Sequence, residues 1–131
     1  MFDFPKARRV HRRAEYLEIQ ARGAKVHSSH FLFVLALDAV RDRPARLGIT
    51  VTRRVGNAVH RNRCKRVCKE AFRLQPGLLP NGVCLLVIAK TGAPTLGLQA
   101  VQREWASAWN VVLRRVRELE SRAAQAASIA P

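Results

Sequence analysis

Residues 53–73 read RRVGNAVHRNRCKRVCKEAFR. Eight of these 21 residues are Lys or Arg, and Glu70 is the only acid among them. At helical spacing the stretch divides into two faces. The apolar face repeats at i, i+3, i+4 and i+7 and consists of Cys64, Val67, Cys68 and Ala71. The spacing therefore predicts an amphipathic helix that packs this stripe against the rest of the protein.

The other face of the predicted helix is basic. It consists of Asn62, Lys65, Arg66, Lys69 and Arg73, with Arg61 and Arg63 at its borders. Asn57 is a suitable N-cap, so the helix is expected over residues 57–74. Like charges four residues apart destabilise a helix by about 0.2–0.5 kcal/mol per pair, and charged faces that only meet solvent usually alternate in sign. This face does not alternate, which indicates nucleic-acid binding.

The composition favours the same kind of partner. The chain has 131 residues, which suits one domain, and its 24 Lys+Arg against 9 Asp+Glu give a net charge of +15. This charge favours a phosphate-rich partner and salt-dependent binding, with an anionic membrane surface as the other candidate. The longest apolar runs, residues 31–37 and 83–89, are too short to span a bilayer, and residues 1–5 show no secretory signal. We expect a cytoplasmic protein without membrane contact.

The three cysteines lack the spacing of a disulfide framework and fit a reducing compartment. One alternative is a zinc site, because His60, Cys64 and Cys68 share a helical face. Cys84 could join them as a fourth ligand. Free cysteine, however, usually behaves as a small buried apolar residue, and this spacing matches none of the paired-cysteine zinc signatures. Core packing is the preferred interpretation, and no metal site is expected.

Around the basic helix, the sequence pattern predicts an α/β domain. Residues 12–22 form the first predicted helix, which ends at Gly23. Its apolar face is expected to consist of Ala14, Leu17 and Ala21. Three strands are predicted, over residues 31–37, 47–52 and 83–89. The first two strands are expected to pair as an antiparallel hairpin, whereas the second and third flank the basic helix in a strand-helix-strand crossover.

The last predicted element is a long helix from residue 99 to about residue 119. Its buried face is marked by Val101, Trp105, Ala108, Val112, Val116 and Leu119. Residues 121–131 are Ala-rich without periodicity and are predicted to be a flexible tail. A single domain is therefore expected over residues 1–120.

The residues that could carry catalysis are dispersed. An RNA-cleaving protein needs an acid–base pair or a metal site. His27 and His30 are close in sequence, but their spacing does not direct them to a common centre. The nine acids are scattered, and no glycine-rich phosphate loop precedes a helix. The chain is therefore interpreted as a binding protein with no catalytic residue of its own.

The centre of the basic stretch, residues 57–66, resembles the signature of the bacterial ribonuclease P protein subunit. In that family an Arg-Asn-Arg core is followed by x-Lys-Arg and commonly by a segment like residues 70–73. Residues 46–49 resemble the family's second strand, residues 87–90 resemble the strand after the helix, and Phe31 resembles the first-strand aromatic. The resemblance covers nearly the whole chain.

The resemblance implies both a fold and an activity. The fold is an α/β (α+β) two-layer sandwich with a small, mostly antiparallel four-stranded sheet. It is a ribosomal-protein-like fold with a left-handed strand-helix-strand crossover, against the usual right-handed rule. Family members bind a large catalytic RNA and assist the hydrolytic removal of the 5′ leader from precursor tRNA. The endoribonuclease chemistry belongs to the RNA and its Mg²⁺ ions, and the protein is expected to be monomeric in the holoenzyme.

The resemblance also assigns two binding surfaces. The expected contacts with the catalytic RNA are Arg61, Asn62, Arg63, Lys65, Arg66 and Lys69. The leader is expected in a cleft between the first helix and the exposed sheet face, with Tyr16, Phe31, Arg12, Arg53 and Lys90 as its contacts. Two family aromatics of this cleft are replaced here by Gln20 and Val34. Stacking contributes about 1–3 kcal/mol per base, so the grip on the leader is expected to be weaker or shifted.

Two other function classes compete with this interpretation. A general or ribosome-associated RNA-binding protein would bind RNA without restoring precursor-tRNA cleavage to a catalytic RNA. A self-sufficient metal-dependent ribonuclease would cut RNA with no RNA partner. Assaying the protein alone, the catalytic RNA alone and both together separates the three.

Overall fold

The computed structural model describes residues 13–75 and 79–129. Its helices are α1 (Arg13–Arg22), α2 (Ala58–Leu74) and α3 (Leu98–Ile129), and a 3-10 turn spans Ala93–Thr95. Its strands are β1 (Ala24–His27), β2 (Phe31–Leu37), β3 (Arg46–Thr50) and β4 (Val83–Ala89). The predictions of α2, β2 and β4 are confirmed, and β3, expected over residues 47–52, begins one residue and ends two residues earlier. The sequence pattern alone did not identify β1.

The four strands form one mixed sheet in the order β1-β2-β4-β3. The β1–β2 and β2–β4 pairs are antiparallel, and the β3–β4 pair is parallel. The predicted hairpin of β2 with β3 was therefore wrong, because β4 lies between them. β4 takes this central place because it is apolar on both sides, with six of its seven residues buried. α2 supplies the crossover that the parallel pair requires.

α2 and α3 cover one face of the sheet and enclose the larger core. The rings of Phe31 and Phe33 meet Trp105 edge to face, with centroids 5.6 and 5.4 Å apart, an arrangement that aromatic pairs prefer. The residues that α2 buries are Cys64, Cys68, Ala71 and Phe72, which confirms three members of the predicted stripe, and the fourth, Val67, is half-buried against the same core. The residues that α3 buries include Val101, Trp105, Ala108, Val112 and Val116. His60 was placed on the stripe but is exposed.

α1 lies on the opposite face of the sheet. It buries Ile19 in a second cluster, made with Val34, Ala36, Cys84 and Leu86. The predicted apolar face was wrong, since Ala14, Leu17 and Ala21 are all exposed. The sheet-facing side carries the charged Glu15, which pairs with Arg46. Because a charged residue lies on the buried side, the hydrophobic periodicity did not identify that side.

α3 is longer than predicted. It continues to Ile129, although residues 121–128 are all exposed. Ala-rich sequence has high intrinsic helix propensity, which accounts for a helix that continues without burial. The limit of the domain at residue 120 and the flexibility of residues 121–131 stay predictions. Within residues 13–75 and 79–129, no helix combines the length and apolarity needed to cross a bilayer.

A buried ion-pair network joins α1 to the sheet. The Arg46 guanidinium donates from Nη1 to Glu15 Oε1 at 3.1 Å and from Nε to Asp38 Oδ2 at 3.0 Å. The side chains of Arg46 and Asp38 are only 7% and 4% exposed. Although burial raises the pKa of Asp38, the Val40 N–H, Arg46 and Arg43 together hold it below its ordinary value. The ionised carboxylate is therefore the form that the fold stabilises.

The variant Arg46→Met is expected to lower the free energy of unfolding at pH 7 by about 3–5 kcal/mol, because it leaves a buried carboxylate without its main cation. A group whose pKa is lowered on folding contributes stability above its unfolded value, about 3.9 for Asp, and loses it as the pH falls through the folded pKa. The difference between wild type and variant should therefore shrink below about pH 4. Urea denaturation at a series of pH values measures this difference in the free energy of unfolding.

Arg43→Met is the matched control. Arg43 contacts the same Asp38 oxygen at 3.6 Å, but its side chain is 37% exposed. Because solvent screens the charge of the exposed partner, we expect the Arg43 pair to contribute about 1 kcal/mol or less, so this loss should be much smaller. Equal losses for the two variants would contradict a special role for Arg46.

Candidate nucleic-acid interface

The start of α2 fixes which of its faces points outward. Asn57 is in an extended conformation, and its side chain accepts a hydrogen bond from the backbone N–H of His60 at 2.9 Å. This confirms the predicted N-cap. With Cys64 and Cys68 only 3% and 0% exposed, the basic residues between and around them are directed away from the core.

The structure brings the six predicted contacts of the catalytic RNA together on the outer surface of α2. The exposed members are Asn62, Arg63 and Arg66, and the half-buried members are Arg61, Lys65 and Lys69. Arg61 Nε is buried without a hydrogen-bond partner in the described part of the chain. We call these six residues the basic ridge.

Carboxylates leave most of the ridge unneutralised. The acid on α2, Glu70, pairs with Arg73 through Nε at 3.1 Å and through Nη2, so the charge of Arg73 is compensated. Elsewhere in the described ranges the ion pairs are Glu18 with Arg22, Glu15 with Arg46, Asp38 with Arg46 and Arg43, Glu104 with His30, Glu118 with Arg115, and Glu120 with Arg41. Within the described ranges, Arg61, Arg63, Lys65 and Arg66 form no ion pair.

Arg63 differs from its neighbours because it also ties α2 to the 3-10 turn. Its Nη1 donates to the carbonyl of Pro94 at 3.0 Å and approaches that of Leu96 at 3.5 Å. A cleft of about 370 Å³ lies beside it, lined in part by His60 and Thr95. A guanidinium has five N–H donors, so Arg63 retains donors for a ligand while its position is held by the protein.

A second surface lies on the α1 side of the sheet, around Tyr16. The Tyr16 hydroxyl forms hydrogen bonds with the backbone of Ile49 and the side chain of Thr50, and burial raises the pKa of this phenol more than those bonds lower it. The ring covers Gly48, where a Cβ would overlap the Tyr16 hydroxyl and lie 2.7 Å from Leu86 Cδ2. Gly48 is therefore what allows Tyr16 to lie against the sheet.

Beyond Tyr16, α1 leaves a strip of this sheet face partly open. Leu32 is directly opposite Ile88, and Ile88 is directly opposite Thr50; all three are half-buried. The resemblance led us to expect a cleft on this face, but sequence reasoning did not name Leu32, Ile88 or Thr50 as its lining. Strand alternation could have found it, because Phe31 and Phe33 face the helices and Leu32 must then face the other way.

The predicted leader contacts do not all reach this strip. Tyr16 borders it. Lys90, half-buried two residues after Ile88, donates from Nζ to the carbonyl of Ser28 at 2.8 Å. Arg53 is exposed in the turn that follows β3. Arg12 lies outside the described residues.

The expectation for Phe31 needs correction. Its ring is 0% exposed and lies against Trp105 on the opposite face of the sheet. A base can stack only on a ring face that is free, so Phe31 does not contribute to a stacking surface here. Val34 is also fully buried, beneath Ile19, and Gln20 is half-buried. Tyr16 is therefore the aromatic that this face offers within the described residues.

The cysteines are divided between the two sheet faces. Cys64 and Cys68 belong to the core under α2 and α3, whereas Cys84 belongs to the cluster under α1. The four residues weighed as zinc ligands are thus not brought together. No group of three His, Cys, Asp or Glu residues in the described ranges is arranged to hold a metal ion.

Comparison with known proteins identifies a family to which the chain is similar. A family model described as Ribonuclease P matches residues 4–113. The chain is 38% identical over 107 residues to the ribonuclease P protein component of Geobacter sp. strain M21, which covers 82% of this chain and 90% of that protein. It is 46% identical over 88 residues to the component from Gluconacetobacter diazotrophicus, which covers 66% and 75%.

Solved structures that resemble this chain belong to the same family. The chain superimposes on the Staphylococcus aureus RNase P protein with a TM-score of 0.72 and 27% identity, covering 82% of this chain and 96% of that one. For the Thermotoga maritima RNase P protein the TM-score is 0.66 at 26% identity, covering 76% and 92%. The family and the fold class expected from residues 57–66 are confirmed.

If the ridge is a source of repulsion, removing one central charge should stabilise the isolated protein. Lys65→Gln eliminates two like-charge pairs, with Arg61 and with Lys69. It is expected to raise the free energy of unfolding at low salt by about 0.4–1 kcal/mol. Urea denaturation in low salt and in about 1 M salt measures the gain, which should vanish in high salt because the screening length falls to about 3 Å.

Arg73→Gln is the control for this prediction. It also removes a like-charge neighbour of Lys69, but it breaks the ion pair with Glu70, so little or no gain is expected. A stabilisation by Lys65→Gln that persists in high salt would show that repulsion is not its cause.

Proposed function

The chain belongs to the ribonuclease P protein family, and on that premise we propose that it acts in tRNA processing as the protein subunit of ribonuclease P. In this role it binds the catalytic RNA and the 5′ leader of precursor tRNA. It thereby assists the Mg²⁺-dependent hydrolysis, carried out by the RNA, that removes the leader. The observation that carries the proposal is the basic ridge, whose charges the protein's own carboxylates leave largely unneutralised.

The ridge suits the backbone of a folded RNA. Arginine and lysine bind phosphates and fix the orientation of a protein on nucleic acid without reading its sequence. Each contact releases counterions, which makes binding favourable and salt-dependent. The four cations without ion pairs, Arg61, Arg63, Lys65 and Arg66, fall on one to two turns of helix, and the core packing of Cys64 and Cys68 beneath them holds the helix rigid. The ridge is thus preorganised for a rigid partner.

The open strip suits a single strand. Unpaired bases are bound by stacking on aromatic rings and by contact with apolar side chains. Tyr16 supplies the ring, Leu32 and Ile88 supply apolar surface, and Lys90 and Arg53 supply positive charge at the margins. The strip and the ridge lie on different sides of the protein, so a leader on the strip and the catalytic RNA on the ridge do not compete for the same residues.

The residues present do not provide a Mg²⁺ site of their own. Mg²⁺ prefers oxygen ligands from carboxylates and phosphates, and the described carboxylates are dispersed and mostly paired with arginine or histidine. We therefore assign the ions to the RNA. The chain's own residues act by binding and orienting two polyanions, whose mutual repulsion its excess of positive charge reduces. Cytoplasmic location and a monomeric protein in the holoenzyme are parts of the same proposal.

Reconstitution tests the proposed function. Precursor tRNA should be cleaved at low Mg²⁺ concentration by protein and catalytic RNA together, and not by either one alone. Binding without restored cleavage would favour a general RNA-binding protein, and cleavage by the protein alone would favour an independent ribonuclease. In the same assay, Arg66→Ala should weaken binding of the catalytic RNA several-fold and flatten the salt dependence, lowering the slope of log K against log salt by about 1.

Arg73→Ala is the matched control on the same helix, because Arg73 is already compensated by Glu70. Its effect on affinity and slope should be clearly smaller. If Arg66→Ala and Arg73→Ala behave alike, the ridge does not bind the RNA through its uncompensated charges.

Tyr16 provides the test of the leader surface. Tyr16→Ala is expected to weaken binding of leader-bearing precursor tRNA to the holoenzyme by about 5-fold to 100-fold, the equivalent of one stacked base. Tyr16→Phe should retain most of the affinity because it keeps the ring. Binding of mature tRNA, which has no leader, serves as the reference. Equal losses for precursor and mature tRNA would argue against a leader site at Tyr16.

A further inference from the structure

A groove lies at the opposite edge of the sheet from β3. Its volume is about 690 Å³, and it runs between the edge strand β1 and the helix α3. It belongs neither to the basic ridge on α2 nor to the open strip around Tyr16. Its lining includes Lys25, His27, Arg103, Ser107 and Arg115.

One wall of the groove is a row of α3 side chains. Arg103, Ser107, Val111 and Arg115 follow one another at intervals of four residues, so they lie on one side of the helix. The row is about 18 Å long, from a rise of about 1.5 Å per residue. Arg103 is exposed and forms no ion pair within the described ranges. Arg115 pairs with Glu118 at 3.3 Å, but both are exposed, and such a pair is weak.

The other wall is the free edge of β1. Among the described residues, β1 pairs with β2 and with no other strand. The backbone N–H of Ser28 donates to the carbonyl of Phe31. Because strand residues alternate in direction, Val26 also bonds toward β2, whereas the backbone groups of Lys25 and His27 point to the open edge. This wall therefore presents the backbone N–H and C=O groups of Lys25 and His27 next to the lysine side chain, and of these the N–H groups and the ammonium can donate to a phosphate.

The acid in the lining, Glu104, does not neutralise the arginines. Its carboxylate accepts hydrogen bonds from Ser28 Oγ at 2.5 Å and from the backbone N–H of His30 at 2.8 Å, and it lies 2.7 Å from His30 Nδ1. Burial raises the pKa of Glu104, but these contacts more than offset it and lower the pKa. Glu104 thus binds the β1–β2 turn to α3, and Arg103 forms no ion pair with it.

We propose that this groove binds the phosphodiester backbone of an RNA strand, as a third RNA contact of the protein. Arginine side chains and backbone N–H groups are the donors that proteins use for phosphates, and here they face each other across one channel. The length of the arginine row accommodates several successive phosphates. The proposal extends the proposed function, since the strand belongs either to the catalytic RNA or to precursor tRNA.

The first experiment compares two double variants in the reconstituted holoenzyme. Arg103→Ala/Arg115→Ala removes two charges from the groove, and Arg114→Ala/Arg117→Ala removes two exposed charges of the same helix that do not line it. Affinity for the catalytic RNA, and separately the affinity of the holoenzyme for precursor tRNA, is measured across salt concentration. In one of these two arms the groove variant should lose about tenfold in affinity and 1–2 units of salt slope, and the control variant less than twofold.

The second experiment locates the strand. All three native cysteines are buried, so Ser107→Cys creates an exposed thiol that can carry iron–EDTA for local hydroxyl-radical cleavage. Asn110→Cys, on the exposed side of α3 and outside the groove, is the control. Cleavage in a defined RNA segment from position 107 and not from 110 supports the proposal, and the arms with and without precursor tRNA identify which RNA is bound.

Three results would overturn the proposal while leaving the proposed function intact, provided that the wild-type protein still restores cleavage. Equal losses of affinity for the two double variants would show that the loss depends on the net charge of the protein and not on the groove. Cleavage of the same segments from positions 107 and 110 would exclude a seated strand. A change in self-association by light scattering, with unchanged RNA affinity, would assign the groove to a second copy of the chain.

Discussion

Burial of the Arg46 guanidinium is the constraint on which the rest of the structure depends. A buried cation must be paired, since an unpaired one would cost several kcal/mol, and here the pairing takes Glu15 from α1 and Asp38 from the end of β2. The network sets the position of α1 on the sheet and hence that of Tyr16, one residue after Glu15. It also uses two of only nine acids. Carboxylates that hold the fold together are no longer available to neutralise α2.

The sequence predicts the elements of the fold better than their arrangement. The stripe of α2, its N-cap and the bounds of β2 and β4 follow from periodicity, because each is long and carries a strong local signal. β1 has four residues with alternating burial, too few to be distinguished from a loop. The order of the strands depends on which run can be buried on both sides. The strands compete for the central position, and β4 takes it because it is apolar on both sides. A local sequence pattern does not contain this comparison between strands.

The site divides in the same way. The basic ridge can be read directly from residues 61–69, since a single helix presents it and no distant element is needed to build it. The strip around Tyr16 is assembled from α1, β2, β3 and β4, so its members depend on the register between strands. Phe31 illustrates the difference: its type suggests a stacking residue, but strand alternation directs it to Trp105, and its neighbour Leu32 reaches the open face instead. The resemblance to a family predicted a cleft on this face, whereas the register between the strands determines which residues line it.

Under the proposed function, the distribution of charge allows a domain of this size to contact RNA on several sides. A protein with a net charge of +15 would repel itself if the charge were concentrated, and each like-charge pair on α2 already costs about 0.2–0.5 kcal/mol. The sheet separates the cations into groups: the ridge on α2, the margins of the open strip, and the row on α3 beside β1. Carboxylates are used where two elements must be joined: Glu15 and Asp38 bind Arg46, and Glu104 holds the β1–β2 turn against α3. In the proposed complex an RNA backbone relieves the repulsion within each remaining group, so that binding and stability of the protein are coupled through the same side chains.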